Sequence, residues 1–117
     1  MISSVSRNID ALRAFAGKLE VSSKNIANMY TDGYRKGSAV ITEGSNNNIR
    51  LDIRHEDHSV NNIRRSTENP VSQNTPSFVD LSEEIPASMV ARRGFEANIR
   101  AIQIHEETLG TILDITG

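Results

Sequence analysis

Two kinds of sequence meet at Asn25-Ile26-Ala27-Asn28-Met29-Tyr30-Thr31-Asp32-Gly33-Tyr34-Arg35. A long helical pattern precedes this segment, and an extended, polar region follows it. Asn25 and Asn28 occupy its predicted last helical turn, where Asn can end a helix by adopting the left-handed conformation. The residues that follow predict a turn in which Gly33 takes a positive φ angle. Tyr34 comes directly after this turn, so we expect it to anchor the direction in which the chain leaves.

The region before the turn has the spacing of an amphipathic α-helix over residues 2–29. Apolar residues recur every three or four positions, and Ser3 or Ser4 can serve as the N-cap. The apolar seam consists of Ile2, Val5, Ile9, Leu12, Ala16, Leu19, Ser23 and Ile26. Its near-heptad spacing favours a coiled-coil strand, and an amphipathic helix packed into a core is the alternative.

The middle of the chain, residues 34–79, is rich in Asn, Ser, Gly and Thr and has no helical period. Residues 49–54 alternate apolar and charged side chains, as a strand with one solvated face does. Residues 39–42 are a second candidate strand, and residues 44–48 predict the loop of a hairpin. Residues 66–77, which include two prolines, predict a linker or extended loop.

A second long helical pattern runs from Asp80 to about Ile115. Asp80 is the expected N-cap, and Glu83 can reach back to it. Pro86 lies beyond the first turn, which predicts a kink near residues 82–86 or a helix that begins there. One seam holds Leu81, Ile85, Ser88, Arg92, Phe95, Ile99, Ile102, Glu106, Leu109 and Leu113. A narrower stripe nearly opposite holds Val90, Ala97, Ala101, Ile104, Thr108 and Ile115.

A helix that is apolar or small on two sides has more surface to bury than one partner can cover. The N-terminal helix can cover one of the two sides, which leaves the other for neighbouring subunits. The alternative is a central helix covered by residues 34–80, although that region offers few large apolar residues.

Composition excludes several classes of function. With 117 residues the chain is about one domain, and its net charge of −2 gives no reason to expect nucleic acid or an anionic membrane as a partner. No apolar run approaches the roughly 18–20 residues that span a bilayer. There is no cysteine, so disulfides, thiol catalysis and thiolate metal sites are excluded. The first residues lack the pattern of a cleaved secretory signal.

No catalytic or metal site is expected either. His55-Glu56-Asp57-His58 places two imidazoles beside two carboxylates, but no third cluster of ligands completes a metal site. Nothing in the sequence brings a nucleophile, a base and an orienting acid together. We therefore expect a protein that is not an enzyme and binds no cofactor.

Two segments resemble a known family, the bacterial flagellar rod and hook proteins. Asn25, Ile26, Ala27, Asn28, Thr31, Gly33 and Tyr34 match a signature near the N-terminus of that family, although Asp32 stands where Pro is frequent. Residues 79–85, 91–98 and 107–113 resemble its C-terminal segment, with Phe78 where Asn is usual. Matching motifs at both ends, in the right order, strengthen the resemblance.

The resemblance implies a fold and a function. Rod subunits pair two terminal helices as an antiparallel coiled coil, which would place residues 1–33 and 80–117 in the rod core and residues 34–79 in a small outer segment. The expected role is a structural subunit of the flagellar basal-body rod, of the compact proximal type. Its terminal helices would build the tubular drive shaft and the wall of the export channel. The residues expected to carry packing and assembly are Ile2, Val5, Ile9, Leu12, Leu19, Ile26, Leu81, Ile85, Val90, Phe95, Ala97, Asn98, Ile99, Ile102, Ile104, Leu109 and Leu113.

The resemblance also implies partners and a location. The chain would leave the cell through the type III export apparatus without a cleaved signal and assemble with itself and other rod or hook-basal-body proteins in the periplasm. The alternative is a free-standing helical adaptor or regulator that binds a flagellar partner without polymerising, because amphipathic helices serve both purposes.

Overall fold

The computed structural model describes residues 2–45, 48–56 and 77–117, with side chains from Val5 onward. Helix α1 (Ile2–Ala27) is followed by strands β1 (Gly37–Glu43) and β2 (Ile49–His55) and by helix α2 (Leu81–Thr116). The prediction of a mainly helical chain with a small antiparallel hairpin between terminal helices is confirmed. The predicted linker over residues 66–77 lies outside the described residues except for Ser77, as do Asp57 and His58 of the rejected metal cluster.

The two helices pack against each other and run in opposite directions. Asn25, near the end of α1, contacts Glu84, near the start of α2. Ten residues further along α2, Gly94 lies against the ring of Phe15, where an added Cβ atom would be 2.5 Å from the ring. Residue numbers thus fall along one helix as they rise along the other. Supercoiling of the pair into a coiled coil stays a prediction.

Small side chains line this helix interface. The apolar residues that are buried in the described part of the chain are Ala11, Ala14 and Ala91. Alanine and glycine leave room for two helix backbones to approach closely. The buried face of α1 also carries Ser22 and Asn25, so it is a small and partly polar face.

The apolar seam predicted for α1 lies on a different face of that helix. Val5, Leu12, Leu19 and Ile26 are half-buried, Ile9 is 40% exposed, and Ala16 and Ser23 are exposed. The side chain of Ile2 lies outside the described part. Periodicity selects the most apolar face of a helix, whereas this interface uses the face whose small side chains allow close approach. The predicted seam is consequently left half open in the single chain.

The start of α2 follows the prediction in part. Asp80 has an extended backbone and caps the helix, because its Oδ1 accepts a hydrogen bond from the Ser82 N–H at 2.8 Å. Glu83 forms an ion pair with Lys36 instead of reaching back to the cap. The helix begins at Leu81 and continues through Pro86, so the alternative of a start near Pro86 is wrong.

The hairpin is confirmed and is slightly longer than predicted. Ala39 faces Ile53 and Ile41 faces Leu51 across the antiparallel pair, and the Gly44 N–H donates to the Asn48 carbonyl at the loop. The hairpin packs on α1, with the Leu51 side chain over Gly17. The hairpin therefore lies beside the helix pair, in contact with α1.

Phe78 has a strained backbone just before α2. Its φ is 52°, and it is the only non-glycine residue with a positive φ among those the structure describes. This conformation costs a bulky L-residue roughly 1–2 kcal/mol and is easier for Asn. Asn is also the residue usual at this position in the motif that the chain resembles.

We expect Phe78→Asn to raise the free energy of unfolding by about 1 kcal/mol. Urea denaturation followed by circular dichroism measures the change. Phe78→Leu is the matched control, since leucine meets the same backbone strain and should not stabilise. An asparagine variant no more stable than the leucine variant would contradict the strain argument.

Candidate functional site: a buried polar cluster and an open helix face

Asn25 is the centre of a polar cluster where α1, the turn, β1 and α2 meet. Its side chain is 1% exposed and uses all of its hydrogen-bonding capacity. The Nδ2 amide donates to the Gly37 carbonyl at 2.7 Å and to Glu84 Oε1 at 3.0 Å. Oδ1 accepts from the Gly37 N–H at 2.9 Å and from the Tyr34 hydroxyl at 3.0 Å. One amide thus ties three parts of the chain to α1.

Glu84 is the acidic member of this cluster, and its side chain is almost fully buried. Besides Asn25, it accepts a hydrogen bond from the Ser22 hydroxyl at 2.6 Å and lies 3.4 Å from the Lys36 ammonium. A buried carboxylate is tolerated only with such partners. We call Ser22, Asn25, Tyr34, Lys36, Gly37 and Glu84 the polar cluster.

Two charged groups at the edge of the polar cluster have shifted pKa values. The hydrogen bond to Glu83 raises the pKa of Lys36, with smaller contributions from the charges of Glu83 and Glu84 opposed by burial. The hydrogen bonds from the Ser82 hydroxyl and N–H lower the pKa of Asp80. Both shifts favour the charged forms. Charged Lys36 holds the start of α2 against the segment before β1 through Glu83 and Glu84, and charged Asp80 caps α2.

The turn after α1 confirms part of the sequence prediction. Gly33 has a φ of 72°, and Tyr34 anchors the exit of the chain through its bond to Asn25. The prediction that an asparagine ends α1 in the left-handed conformation is wrong, because neither Asn25 nor Asn28 has a positive φ. Asn28 instead donates from its side chain to the Lys24 carbonyl and accepts from Thr31. Both asparagines therefore act through their side chains.

The C-terminal helix presents an open apolar face. Val90 is 63% exposed and Ile104 is 57% exposed, and Ala97 between them is exposed as well. Of the other predicted packing residues, the exposed ones are Ile85, Ile99 and Leu113, and the half-buried ones are Leu81, Phe95, Asn98, Ile102 and Leu109. The residues of the second predicted stripe are thus all accessible in the single chain.

The chemistry available to these two regions is that of packing. Within residues 2–45, 48–56 and 77–117, no group of three or more His, Asp or Glu side chains could hold a metal ion. The polar cluster has its donors and acceptors engaged with one another. None of the described helices is long and apolar enough to cross a membrane.

The C-terminal region matches a family model described as flagellar basal body rod FlgEFG protein C-terminal, over residues 77–115. These residues are similar to the C-terminal segment of flagellar basal-body rod proteins. The match confirms the resemblance that the C-terminal motifs indicated, and it covers about a third of the chain. No curated protein matches the chain significantly.

The similarity of this segment to the rod family supports a structural role related to the flagellar rod, located at the flagellar basal body. The family is structural and not enzymatic. Other flagellar basal-body proteins are the partners that the match suggests. The N-terminal motif lies outside the matched residues, yet its Asn25 bonds directly to Glu84 inside them.

Sequence reasoning missed four members of the polar cluster, namely Ser22, Lys36, Gly37 and Glu84; Gly37 takes part only through its backbone. Ser22 is a single hydroxyl on a helix, and Lys36 is one cation in a polar region, so neither carries a local signal. Glu84 lies within the C-terminal motif, but its burial depends on Ser22, Asn25 and Lys36, which are distant from it in the sequence.

Proposed function

We propose that the chain is a structural subunit of the bacterial flagellar basal-body rod that polymerises through its terminal helices. In this role α1 and α2 form part of the tubular drive shaft and of the wall of the export channel. The hairpin, packed on α1, belongs to the outer segment. The small size of residues 34–79 favours a compact proximal-rod type of subunit.

One observation carries this proposal beyond the family match. In the described part of the chain the buried apolar residues are three alanines, while large apolar side chains along α2 are exposed. The full burial of a side chain such as Ile or Val contributes roughly 1.5–3 kcal/mol. A chain that leaves this contribution unused inside its own fold can gain it by packing against other subunits.

The same proposal implies how the protein reaches its place. The chain passes through the type III export apparatus without a cleaved signal and meets copies of itself and other rod or hook-basal-body proteins in the periplasm. The part of the chain that the structure describes has few large buried side chains. This suits the route, because little packing has to be undone there for transport through a narrow channel.

Substitution of the open face tests the proposal. We expect the double variant Val90→Asp, Ile104→Asp to abolish swimming and to prevent completion of the rod in a strain that lacks the wild-type gene. Both side chains are exposed, so the purified variant should keep the helix content of the wild type. The measurements are soft-agar motility, electron microscopy of basal bodies and circular dichroism.

Gln103→Asp is the matched control, because it adds an acidic group to another exposed side of the same helix. This control should swim normally. Motile cells with normal basal bodies in the double variant would reject the polymerising role. If the wild-type protein also failed to co-sediment with rod components, while binding another flagellar partner, the adaptor alternative would replace it.

A further inference from the structure

The open face of α2 carries a charge column beside its apolar stripe. Arg93, Arg100, Glu107 and Asp114 follow one another at intervals of seven, so they line one edge of the stripe. All four are exposed, and none forms an ion pair with another described residue. The column changes sign at its middle, with two cations followed by two anions.

The stripe itself has the spacing of a helix-packing seam. Its exposed members are Val90, Ala97, Ala101, Ile104, Thr108, Thr111 and Ile115. Together with Gly94, which lies at the edge against Phe15 of α1, they recur at alternating intervals of four and three. The hydroxyls of Thr108 and Thr111 donate to carbonyls of their own helix, at Ile104 and Glu107. Their methyl groups are therefore available for packing against a partner.

We propose that the stripe is the interface of an antiparallel homodimer, in which α2 of one copy packs along α2 of a second copy. The pairing goes beyond the proposed rod function and does not depend on it. It would cover the apolar stripe of the subunit before assembly and would have to open for the stripe to meet a rod neighbour.

The charge column selects the antiparallel orientation. When two identical helices pair about a two-fold axis in opposite directions, the same edge of each stripe lies side by side in reverse order. Arg93 then meets Asp114 of the second copy, and Arg100 meets its Glu107. In a parallel pair the charged edge would instead meet the opposite edge, which carries Asn98, His105 and Ile112, with Ala91 buried against α1, and has no acidic or basic column.

The apolar residues select the same register independently. With the charges aligned, Val90 faces Ile115 of the second copy, Ala97 faces its Thr108, and Ala101 faces its Ile104. The facing pairs at the two ends and at the centre then each contain at least one branched aliphatic side chain. The facing pairs between them contain only small side chains. The paired region, residues 90–115, is about 38 Å long.

Charge reversal tests the partner and the orientation together. The acidic variant (Arg93→Glu, Arg100→Glu) and the basic variant (Glu107→Arg, Asp114→Arg) should each lower the dimer association constant on the order of tenfold or more, since every pair becomes repulsive. Mixed in equal amounts, the two variants should form a heterodimer, because all pairs are then complementary. Analytical ultracentrifugation of the full chain at low salt measures each association.

The four-residue swap (all four substitutions in one chain) is the matched control for damage to the helix. It should form homodimers as the wild type does, yet fail to pair with the wild type. A wild type that stays monomeric at all concentrations, or an acidic variant that dimerises like the wild type, would overturn the proposal. Association of the variant mixture into open chains larger than a dimer would also overturn it.

Cysteine cross-linking checks the orientation separately, since the chain has no native cysteine. Val90→Cys mixed with Ile115→Cys should give a disulfide-linked dimer under mild oxidation. Neither variant alone should do so, because identical positions lie about 38 Å apart in the antiparallel pair. Cross-linking of Val90→Cys with itself would show a parallel pair and reject the proposed arrangement. Neither the ultracentrifugation nor the cross-linking experiment depends on rod assembly in cells. The dimer proposal and the proposed rod function can therefore be rejected independently of each other.

Discussion

Asn25→Ala is expected to lower the free energy of unfolding by about 3 kcal/mol. The substitution removes four hydrogen bonds at once and leaves their partners without a replacement in a site that is closed to water. The largest part of the loss comes from Glu84, because its almost fully buried carboxylate then has only Ser22 as a hydrogen-bond donor and Lys36 as an ion-pair partner. Urea denaturation followed by circular dichroism measures the change.

Asn28→Ala is the matched control for this prediction. Asn28 is also an asparagine at the end of α1, but its amide makes only two hydrogen bonds, both exposed: it donates to the Lys24 carbonyl at 2.9 Å and accepts from the Thr31 hydroxyl at 3.2 Å. Its loss should cost less than about 1 kcal/mol. Hydrogen exchange adds a local readout, since the Gly37 N–H donates to Asn25 and should lose protection only in the Asn25 variant. Equal effects of the two substitutions would show that the polar cluster is not what holds the helices in register.

The part of the fold that sequence reasoning predicted is the part with local causes. Gly33 takes a positive φ because it lies within a turn formed by its own neighbours in the sequence. Asp80 caps α2 by accepting a hydrogen bond from a residue only two positions away. The hairpin likewise follows from alternation within residues 49–54. In each case the residues that decide the structure are neighbours in the sequence.

The role of Asn25 could not be predicted in this way, because its partners are distant in the chain. Gly37 is 12 residues away and Glu84 is 59 residues away. The same distance hides which face of α1 is buried. Periodicity selects the seam that contains Leu12 and Leu19, whereas the polar cluster and the small side chains fix the rotation of α1 toward a different face.

The open stripe on α2 was predicted from periodicity, and its residues are accessible in the single chain. Their role in assembly stays a prediction, since it depends on a second molecule. What the fold adds is the reason why the stripe is left open. The interface with α1 is already closed by alanines, so the larger apolar residues of α2 have no place inside it.

The closeness of the two helices leads to the second large effect. Ala91 is 0% exposed and lies on α2 between Glu84 and Gly94, which both contact α1. We expect Ala91→Leu to lower the free energy of unfolding by about 2–3 kcal/mol, because three additional heavy atoms have no space there and force the helices apart. Separation of the helices would also lengthen the hydrogen bond between Asn25 and Glu84, so the effect spreads to the polar cluster.

Ala16→Leu provides the comparison at an exposed position of α1, where the same three atoms point to solvent. It should leave stability within about 0.5 kcal/mol of the wild type. Thermal and urea unfolding of both variants measure the difference. If leucine at position 91 were as harmless as at position 16, the helices would have room between them. A small-residue interface could then not explain why α2 keeps its large apolar side chains on the outside, and the case for an outer partner would lose its physical basis.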